Sequence, residues 1–505
     1  MNTELLKKKI LQLAMQGKLV EQEESDGTAD ELIDQILEEK KKLMSEGKIK
    51  KEKLSRIYKN PTDNHYYEKF DDGKEKLVKT SLVLPNGWNY IKMNDVVFYE
   101  QPSKYIVEST EYDDKYTTPV LTPGKSFILG YTKETKGVFT NIPTIIFDDF
   151  TTESKYVDFV FKVKSSAMKI LNCSNLINIK FIYYLLQVIN IDTTTHKRHW
   201  LSNYEYMIIP IPCKKIQDKI VNRIESLFDR VNEIDDHYNR IDRLKSVLKS
   251  KIIDLAIKGE LTKQLSTDEP SSKLIENIIE EKHKLMAEGK IKKENLSIIY
   301  KDADNQFYEK FDDGKIVNIT KELPFKIPTG WSWSRLRNIG IYKKGPFGSS
   351  LIKDMFVPKS NNTIKVYEQK NAINKDYTLG NYYITKQYFE QAMRGFEVEP
   401  GDIIVSCAGT IGETYILPSD IEKGIINQAL MKMKIFNNIN IDFFLMYFDQ
   451  ILKKESIKNG KGTAMKNIPP FAVFKEYLIP IPSQEEQERI IEKKISIFNY
   501  IKTAE

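Results

Sequence analysis

Glu38 to Lys59 reads EEKKKLMSEGKIKKEKLSRIYK and Glu280 to Lys301 reads EEKHKLMAEGKIKKENLSIIYK, with 18 of 22 positions identical at an offset of 242. A chain that carries one segment twice, half its length apart, is assembled from duplicated parts, and its fold must house both copies. The match runs backward, LKKKILQLAMQGKL from Leu6 against LKSKIIDLAIKGEL from Leu248, and forward through YEKFDDGK at Tyr67 and at Tyr308. Each copy then reaches a Pro-x-Gly-Trp, Pro85 to Trp88 and Pro328 to Trp331. At 505 residues the chain also exceeds the ~250 to 300 at which a single core stops growing, so two or more domains follow.

A second landmark, IPIP, stands at Ile209 to Pro212 and at Ile479 to Pro482, now at an offset of 270, and opens each time into a charged helical pattern. Between Pro-x-Gly-Trp and IPIP lie two stretches, about residues 89–208 and 332–478, of unequal length and without convincing alignment. Repeated frames therefore hold two dissimilar inserts.

The frame is helical. After Pro212, apolar residues fall at Ile216, Ile220, Ile224, Leu227, Val231, Ile234, Tyr238, Ile241, Leu244, Leu248, Ile252 and Leu255, mostly in alternating steps of three and four, the pattern of a coiled-coil seam. With Gly259 as its stop, this predicts a rod of about 40 residues and roughly 60 Å. Its partner is divided between the termini: Gln487 to Glu505 matches Gln217 to Asp235, and the segment from Thr3 matches the helix from Lys245, leaving about nine residues missing in the middle. Such an order is cyclic, and two such rods can pack antiparallel about a pseudo-twofold axis with one insert at each end. The expected fold class is α/β (α+β): two globular domains separated by a long antiparallel pair of coiled-coil helices. The expected boundaries are 1–80, a helical repeat region; 81–212, the first insert domain; 213–320, the central helical region; 321–482, the second insert domain; and 483–505, the C-terminal coiled-coil helix. A shorter helix recurs in each frame, with Leu32, Ile36 and Leu43 closed by Gly47, and Leu274, Ile278 and Leu285 closed by Gly289; Thr28 to Glu31 fits a capping box at the first. The KIKKE runs that follow, Lys48 to Glu52 and Lys290 to Glu294, read as exposed basic turns or as docking surfaces.

Composition limits the remaining possibilities. Hydrophobic residues make up 41% and charged residues 29%, with 27 Tyr, 24 Phe and 4 Trp, enough apolar material to exclude a wholly disordered chain. Apolar runs such as Phe181 to Leu186 fall short of the ~18 residues that cross a bilayer, and the N-terminus reads as an amphipathic helix rather than a secretory signal, so no membrane partner and a cytoplasmic location are expected. Cys173, Cys213 and Cys407 form no CxxC pair, which argues against a disulfide framework or structural zinc. The net charge of +6 permits a polyanion partner without requiring one.

Candidate chemistry lies in the inserts. In the first, basic residues gather at Lys133, Lys136, Lys155, Lys162, Lys164 and above all in Thr195 to Trp200, THKRHW, whose His196, Lys197, Arg198 and His199 could grip phosphates or read base edges. His196 and His199 have a metal-like spacing, but no third ligand stands near and Lys197 and Arg198 would repel a cation. Glu153 to Lys155 forms an ExK after Asp148 and Asp149, a triplet that is common by chance. In the second insert, KGPFGSSLIK (Lys344 to Lys353) and PGDIIVSCAGTIG (Pro400 to Gly412) are glycine turns beside apolar runs; neither fits a nucleotide-binding loop. Ser350 and Lys353 fit SxxK without its companion motifs, and Asn467 to Phe471, NIPPF, interrupts the NPPF of amino-methyltransferases. Candidate DNA contacts here are Ser349, Lys353, Arg394, Thr410, and Lys458, Lys461 and Lys466 in a basic loop.

Taken in order, the paired frames, the IPIP-to-helix junctions, IIFDDFTTESKYVDFVFKVKSSAMKIL from Ile145, HKRHW, GPFGSSL, and PGDIIVSCAGTIG with Asn427 and Gln428 downstream resemble the specificity subunit of type I restriction-modification systems across essentially the whole chain. The resemblance implies a non-catalytic DNA-binding subunit of a host-defence complex, with each insert a target recognition domain reading one half of a split, asymmetric site and the helices setting the spacer. It implies double-stranded DNA, two methylation subunits and two restriction subunits as partners. S-adenosylmethionine, ATP and Mg would be bound by those subunits, and no cofactor or metal by this chain. Two rival readings stay open on the residues alone: a self-contained methyltransferase or nuclease resting on NIPPF and ExK, and a structural tether with no DNA role.

Overall fold

The computed structural model describes residues 2–47, 49, 51–80, 82–124, 126–193, 198–458 and 471–503, with the backbone alone over 451–458. The chain divides into two units, residues up to Arg240 and residues from Ile241. Among the described residues no helix is long and apolar enough to cross a membrane.

The first unit opens with α1 (Thr3–Met15) and α2 (Ala29–Ser45), followed by a small antiparallel sheet of β1 (Ser55–Lys59), β2 (Tyr66–Phe70) and β3 (Glu75–Val78). Then come β4 (Asn89–Lys92), the single turn α3 (Met93–Val96), β5 (Val97–Glu100), β6 (Thr118–Leu121), β7 (Ile128–Thr132), β8 (Thr144–Asp148), β9 (Ser154–Val157), β10 (Lys162–Val163), β11 (Met168–Cys173), α4 (Ile179–Leu186) and β12 (Ile208–Ile211). The seam predicted after Pro212 is one helix, α5 (Lys214–Ile257), of 44 residues. α1 lies antiparallel to its first half: Thr3 Oγ1 donates to Asp235 Oδ1 at 3.2 Å, and Lys7 Nζ lies 5.9 Å from the Phe228 ring centre.

The second unit repeats this plan. It contains α6 (Ser271–Ala287), the sheet β13 (Ser297–Lys301), β14 (Phe307–Phe311) and β15 (Ile316–Asn318), then β16 (Ser332–Arg335), α7 (Leu336–Ile339), β17 (Gly340–Lys344) and β18 (Thr363–Tyr367). α8 (Gln369–Asn374), β19 (Tyr383–Thr385), α9 (Lys386–Tyr388), β20 (Glu397–Val398), β21 (Ile403–Ser406), β22 (Thr414–Ile416), β23 (Gly424–Ile426) and β24 (Leu430–Ile435) follow. It closes with α10 (Ile441–Lys458), α11 (Phe471–Lys475), β25 (Leu478–Ile481) and α12 (Gln484–Thr503). Here Lys249, on the second half of α5, sits 5.8 Å from the Phe498 ring of α12, the same pair at offsets of 242 and 270.

Other contacts recur with the sequence repeat. Asp26 is clamped by Lys219 at 2.8 and 2.9 Å and Asp268 by Arg489 at 2.5 and 2.9 Å. Ser55 Oγ donates to Glu68 and Ser297 Oγ to Glu309, both at 2.7 Å. Gly17 and Gly259 end their helices at φ +68° and +72°, and a Cβ on either would lie 2.4 Å from Pro85 Cγ or Pro328 Cγ. Only glycine meets both demands, a left-handed stop and a proline pressed against it.

The inserts, unalignable in sequence, share one topology. The first has a four-stranded sheet ordered β5-β11-β8-β9 and the second has β17-β24-β21-β22, all antiparallel. Beside it, β6 pairs parallel with β10 and antiparallel with β7, as β18 does with β23 and β19; β20 is an addition of the second insert. Each insert is closed by a frame strand pair, β4·β12 or β16·β25. The central strands are wholly buried β-branched and aromatic runs, TIIFD in β8 and IIVS in β21, which form strands because such side chains pack on both faces.

The α5 seam is buried at its ends and exposed at Ile234, Tyr238, Ile241, Leu244 and Leu248, around the stretch where the partner segments lack about nine residues. Two expectations need correction. Thr28 occupies the N-cap of α2, but its side chain makes no capping hydrogen bond, because the chain already turns at Glu23–Asp26, where the reciprocal capping box lies. The KIKKE runs are not simply free: Glu52 pairs with buried Lys40, and Glu294 pairs with buried Lys282 at 2.8 Å.

Candidate nucleic-acid interface

In the second insert three connections meet at the end of the four-stranded sheet. The backbone N–H of Gly345, just past β17, donates to Leu430 O at 2.9 Å, and an added Cβ there would fall 1.8 Å from Asn427 O. Asn427 N–H donates to Tyr367 O at 3.0 Å, and Ala429 O accepts from Cys407 N–H at 2.8 Å. The turn after Cys407 is fastened internally: Ser406 Oγ donates to Thr410 O at 2.5 Å and accepts from Glu413 N–H at 3.0 Å, while the Gln369 amide donates to Ala408 O. GPFGSSL, CAGTIG and Asn427–Gln428, far apart in sequence, are thus one braced cluster carrying exposed Ser349 and Thr410. Tyr388 Oη donates to Ser350 O at 2.8 Å and ties the first of these loops to the segment bearing Arg394. Lys353 and Arg394 are exposed, the latter paired with Glu390. Burial holds the Lys343 ammonium below its ordinary pKa, with Lys292 and Lys432 adding to the effect.

Lys458 lies at the end of α10, with its side chain outside the described residues; Lys461, Lys466 and most of NIPPF lie outside them altogether. The residue that sequence reasoning passed over is Phe347, 86% exposed at the tip of GPFGSSL. Its signal was available: an aromatic held between Pro346 and Gly348 in a turn has no strand or helix face on which to pack.

In the first insert Lys133 and Lys136 are exposed on the turn after β7, and Lys164 is exposed after β10; Lys155, on β9, is half-buried. Lys162 is not a surface cation. Its buried Nζ pairs with Glu134 at 2.9 Å and donates to Lys136 O at 2.7 Å, while Glu134 also accepts the backbone N–H groups of Glu108 and Ser109 at 3.0 Å. It braces the turn that presents the other two lysines.

The HKRHW motif separates into two roles. Arg198 is exposed, while His196 and Lys197 lie outside the described residues. His199 is 0% exposed and does not offer its ring to a groove: its backbone N–H donates to Asp149 O at 2.8 Å, and ring Nδ1 lies 3.2 Å from Asn203 Oδ1. The Trp200 backbone N–H donates to Asp149 Oδ1 at 2.8 Å, and the Trp200 ring packs edge-on against Phe147 at 5.3 Å. Asp149 also faces buried Lys169 at 3.7 Å, an ammonium that burial pushes below its usual pKa, helped by the charge of Arg198 and opposed by Asp149. The motif is donor-rich because part of it is core. Asp148 is likewise committed to structure, accepting Phe150 and Thr151 N–H at 2.8 and 3.1 Å, so of the acids before the ExK one serves the β8–β9 turn and the other holds the HKRHW segment.

Residues 328–502 match the family model described as the type I restriction modification DNA specificity domain. The type I restriction enzyme EcoR124I/EcoR124II specificity subunit of Escherichia coli is 38% identical over 232 residues, 42% of this chain and 54% of that one. The EcoEI specificity subunit of the same organism is 24% identical over 92% of this chain and 84% of its own. The chain is thus similar to type I restriction-modification specificity subunits, and its residues 328–502 match their DNA specificity domain. Its match spans about half the length of the first of these relatives, 54%, and most of the second, 84%. A chain from a solved type I R-M system is 15% identical, covers 84% of this chain and 93% of its own, and superimposes with a TM-score of 0.49. The geometry offers two sets of braced loops on one strand plan, with exposed cations on both and an exposed aromatic on the second.

Proposed function

We propose that this chain is the specificity subunit of a type I restriction-modification system, the non-catalytic DNA reader and scaffold of its complex, with each insert reading one half of a split, non-palindromic site. Recognition domains at 81–212 and 321–482 would be held by helical regions at 1–80, 213–320 and 483–505. Those helices fix the spacer and dock two methylation subunits, to which two restriction subunits add; S-adenosylmethionine, ATP and Mg belong to these partners. The supporting observation is that two unrelated insert sequences share one strand order, from β5-β11-β8-β9 to β17-β24-β21-β22, inside frames joined by matching contacts. A common scaffold delivers loops to equivalent positions, and differing loop chemistry then reads differing bases. Exposed Lys133, Lys136, Lys164, Arg198, Lys353 and Arg394 supply the phosphate and base-edge contacts, and Ser349 and Thr410 shorter donors.

The test is selection from random duplexes by the chain assembled with its methylation partners. One bipartite motif with unlike halves is expected, and replacing residues 93–207 by those of a relative should change one half alone. Enrichment of no bipartite motif, or a change in both halves, overturns the proposal.

A further inference from the structure

We propose that Phe347 is an apolar wedge that enters the DNA at the half-site of the second insert and parts one base step. The inference rests on the DNA-reading role proposed above and assigns that role a residue. Phe347 is 86% exposed, and the same loop leaves Ile352 45% exposed. The loop that carries it cannot fold back to cover the ring. Gly345 is pressed against Asn427, Pro346 and Leu351 are buried, Ser350 N–H donates to Phe347 O at 2.8 Å, and Tyr388 Oη holds Ser350 O at 2.8 Å. An aromatic fixed outward in this way has already lost the freedom that binding would otherwise remove.

Its surroundings match DNA. Lys344 and Lys353 stand exposed on either side of the tip, opposed there by Asp354, and Gly348 and Ser349 beside the ring are small, with open space around Gly348. Cations at the rim and an apolar tip at the centre complement a groove whose edges are phosphate and whose floor is stacked bases. A protein partner would call instead for a broader apolar patch. The corresponding loop of the first insert, after β5, holds no such tip among the described residues: it buries Pro102, and Tyr105 packs edge-on against Phe139 at 5.1 Å. The wedge is therefore assigned to the second insert's half-site.

The experiment uses the chain assembled with its methylation partners and duplexes of its selected site in which single adenines of either half are replaced by 2-aminopurine. Expected is a rise in fluorescence at one step of the second insert's half-site. Phe347→Ala should abolish the rise and weaken binding about ten- to hundredfold, while Phe347→Trp retains both and circular dichroism shows each variant folded. Wild-type affinity and an unchanged fluorescence pattern for Phe347→Ala overturn the proposal. So does weakened binding by that variant when no base is unstacked in the wild type, which would leave Phe347 as a contact from the groove surface. Failure of the wild-type assembly to select any site overturns instead the reading on which the wedge rests.

Discussion

Trp88 and Trp331 occupy the same place in the two frames, are each 6% exposed, and pack edge-on against Phe181 at 6.4 Å and Phe443 at 6.1 Å. They differ in one bond. Trp331 Nε1 donates to Glu486 Oε2 at 2.8 Å, and that buried carboxylate also accepts Gln264 Nε2 at 2.8 Å and Thr262 Oγ1 at 3.1 Å. At the position equivalent to Glu486 the first frame has Ile216, and Trp88 Nε1 is buried without a partner among the described residues. Replacing either tryptophan by phenylalanine removes the same volume from a similar site, so the packing losses cancel in the comparison. At Trp331 the change also forfeits a hydrogen bond to a charged group, worth about 1.5 to 3 kcal/mol, whereas at Trp88 it relieves an unsatisfied donor that costs about 1 to 3 kcal/mol. Trp331→Phe should therefore destabilise its unit by about 3 kcal/mol more than Trp88→Phe destabilises its own. Because the two units need not unfold together, the measurement is hydrogen exchange in the full chain, read from peptides around each tryptophan. Equal losses, or the larger loss at Trp88, would refute the reasoning.

Gly345→Ala forces a Cβ to within 1.8 Å of Asn427 O, so the loop or β24 has to shift by more than 1 Å; a loss of about 3 kcal/mol in the second unit's stability, read from its urea unfolding, is expected, against little change for Gly348→Ala, where space is open. The Asp26 carboxyl is held well below its usual range, first by Lys215 and then by Lys219 and the backbone around Glu23. A depressed folded pKa contributes stability above the unfolded value of about 3.9 that is lost as pH falls through the folded one. Asp26→Asn should accordingly flatten the decline in first-unit stability below about pH 4, followed by circular dichroism in urea; an unchanged decline would show that the clamp does not couple to folding.

What could be read from the sequence was whatever repeats or keeps a period. The 242 offset located both frames, and the three-four spacing located α5, because helix seams and glycine stops are local and written in order. The shared topology of the inserts was illegible, since β-strands require only buried β-branched runs and TIIFD and IIVS satisfy that without resembling each other. The site was harder still. His199 and Arg198 adjoin in sequence, yet one is core and the other surface, a difference set by Asp149 on a distant strand turn; Lys162 looks like its neighbours until Glu134 is placed beside it. Donor-rich motifs announce hydrogen bonding without saying whether the partner is a ligand or the protein's own backbone.

The way the inserts join their frames carries a last prediction. Each insert's long helix begins at an asparagine, Asn178 or Asn440, whose backbone N–H donates to a fully buried glutamine of the frame, Gln217 at 2.9 Å or Gln487 at 2.7 Å. The amide of that glutamine turns back to the carbonyl closing IPIP, Pro212 O at 3.0 Å or Pro482 O at 3.1 Å. One side chain therefore fixes the start of the insert helix relative to the end of the frame strand, identically in both units. Gln217→Met and Gln487→Met should each leave two buried polar groups unpaired and lose about 2 to 4 kcal/mol, by equal amounts because the geometry is equal. If this contact and the frame strand pair are all that an insert requires, residues 93–207 grafted in place of 336–477 should fold, since the graft brings its own asparagine to Gln487. Hydrogen exchange protecting the grafted Phe147 and Leu171 strands as in the parent is the expected result, and an unprotected graft would mean that each frame recognises its insert through side chains the two do not share.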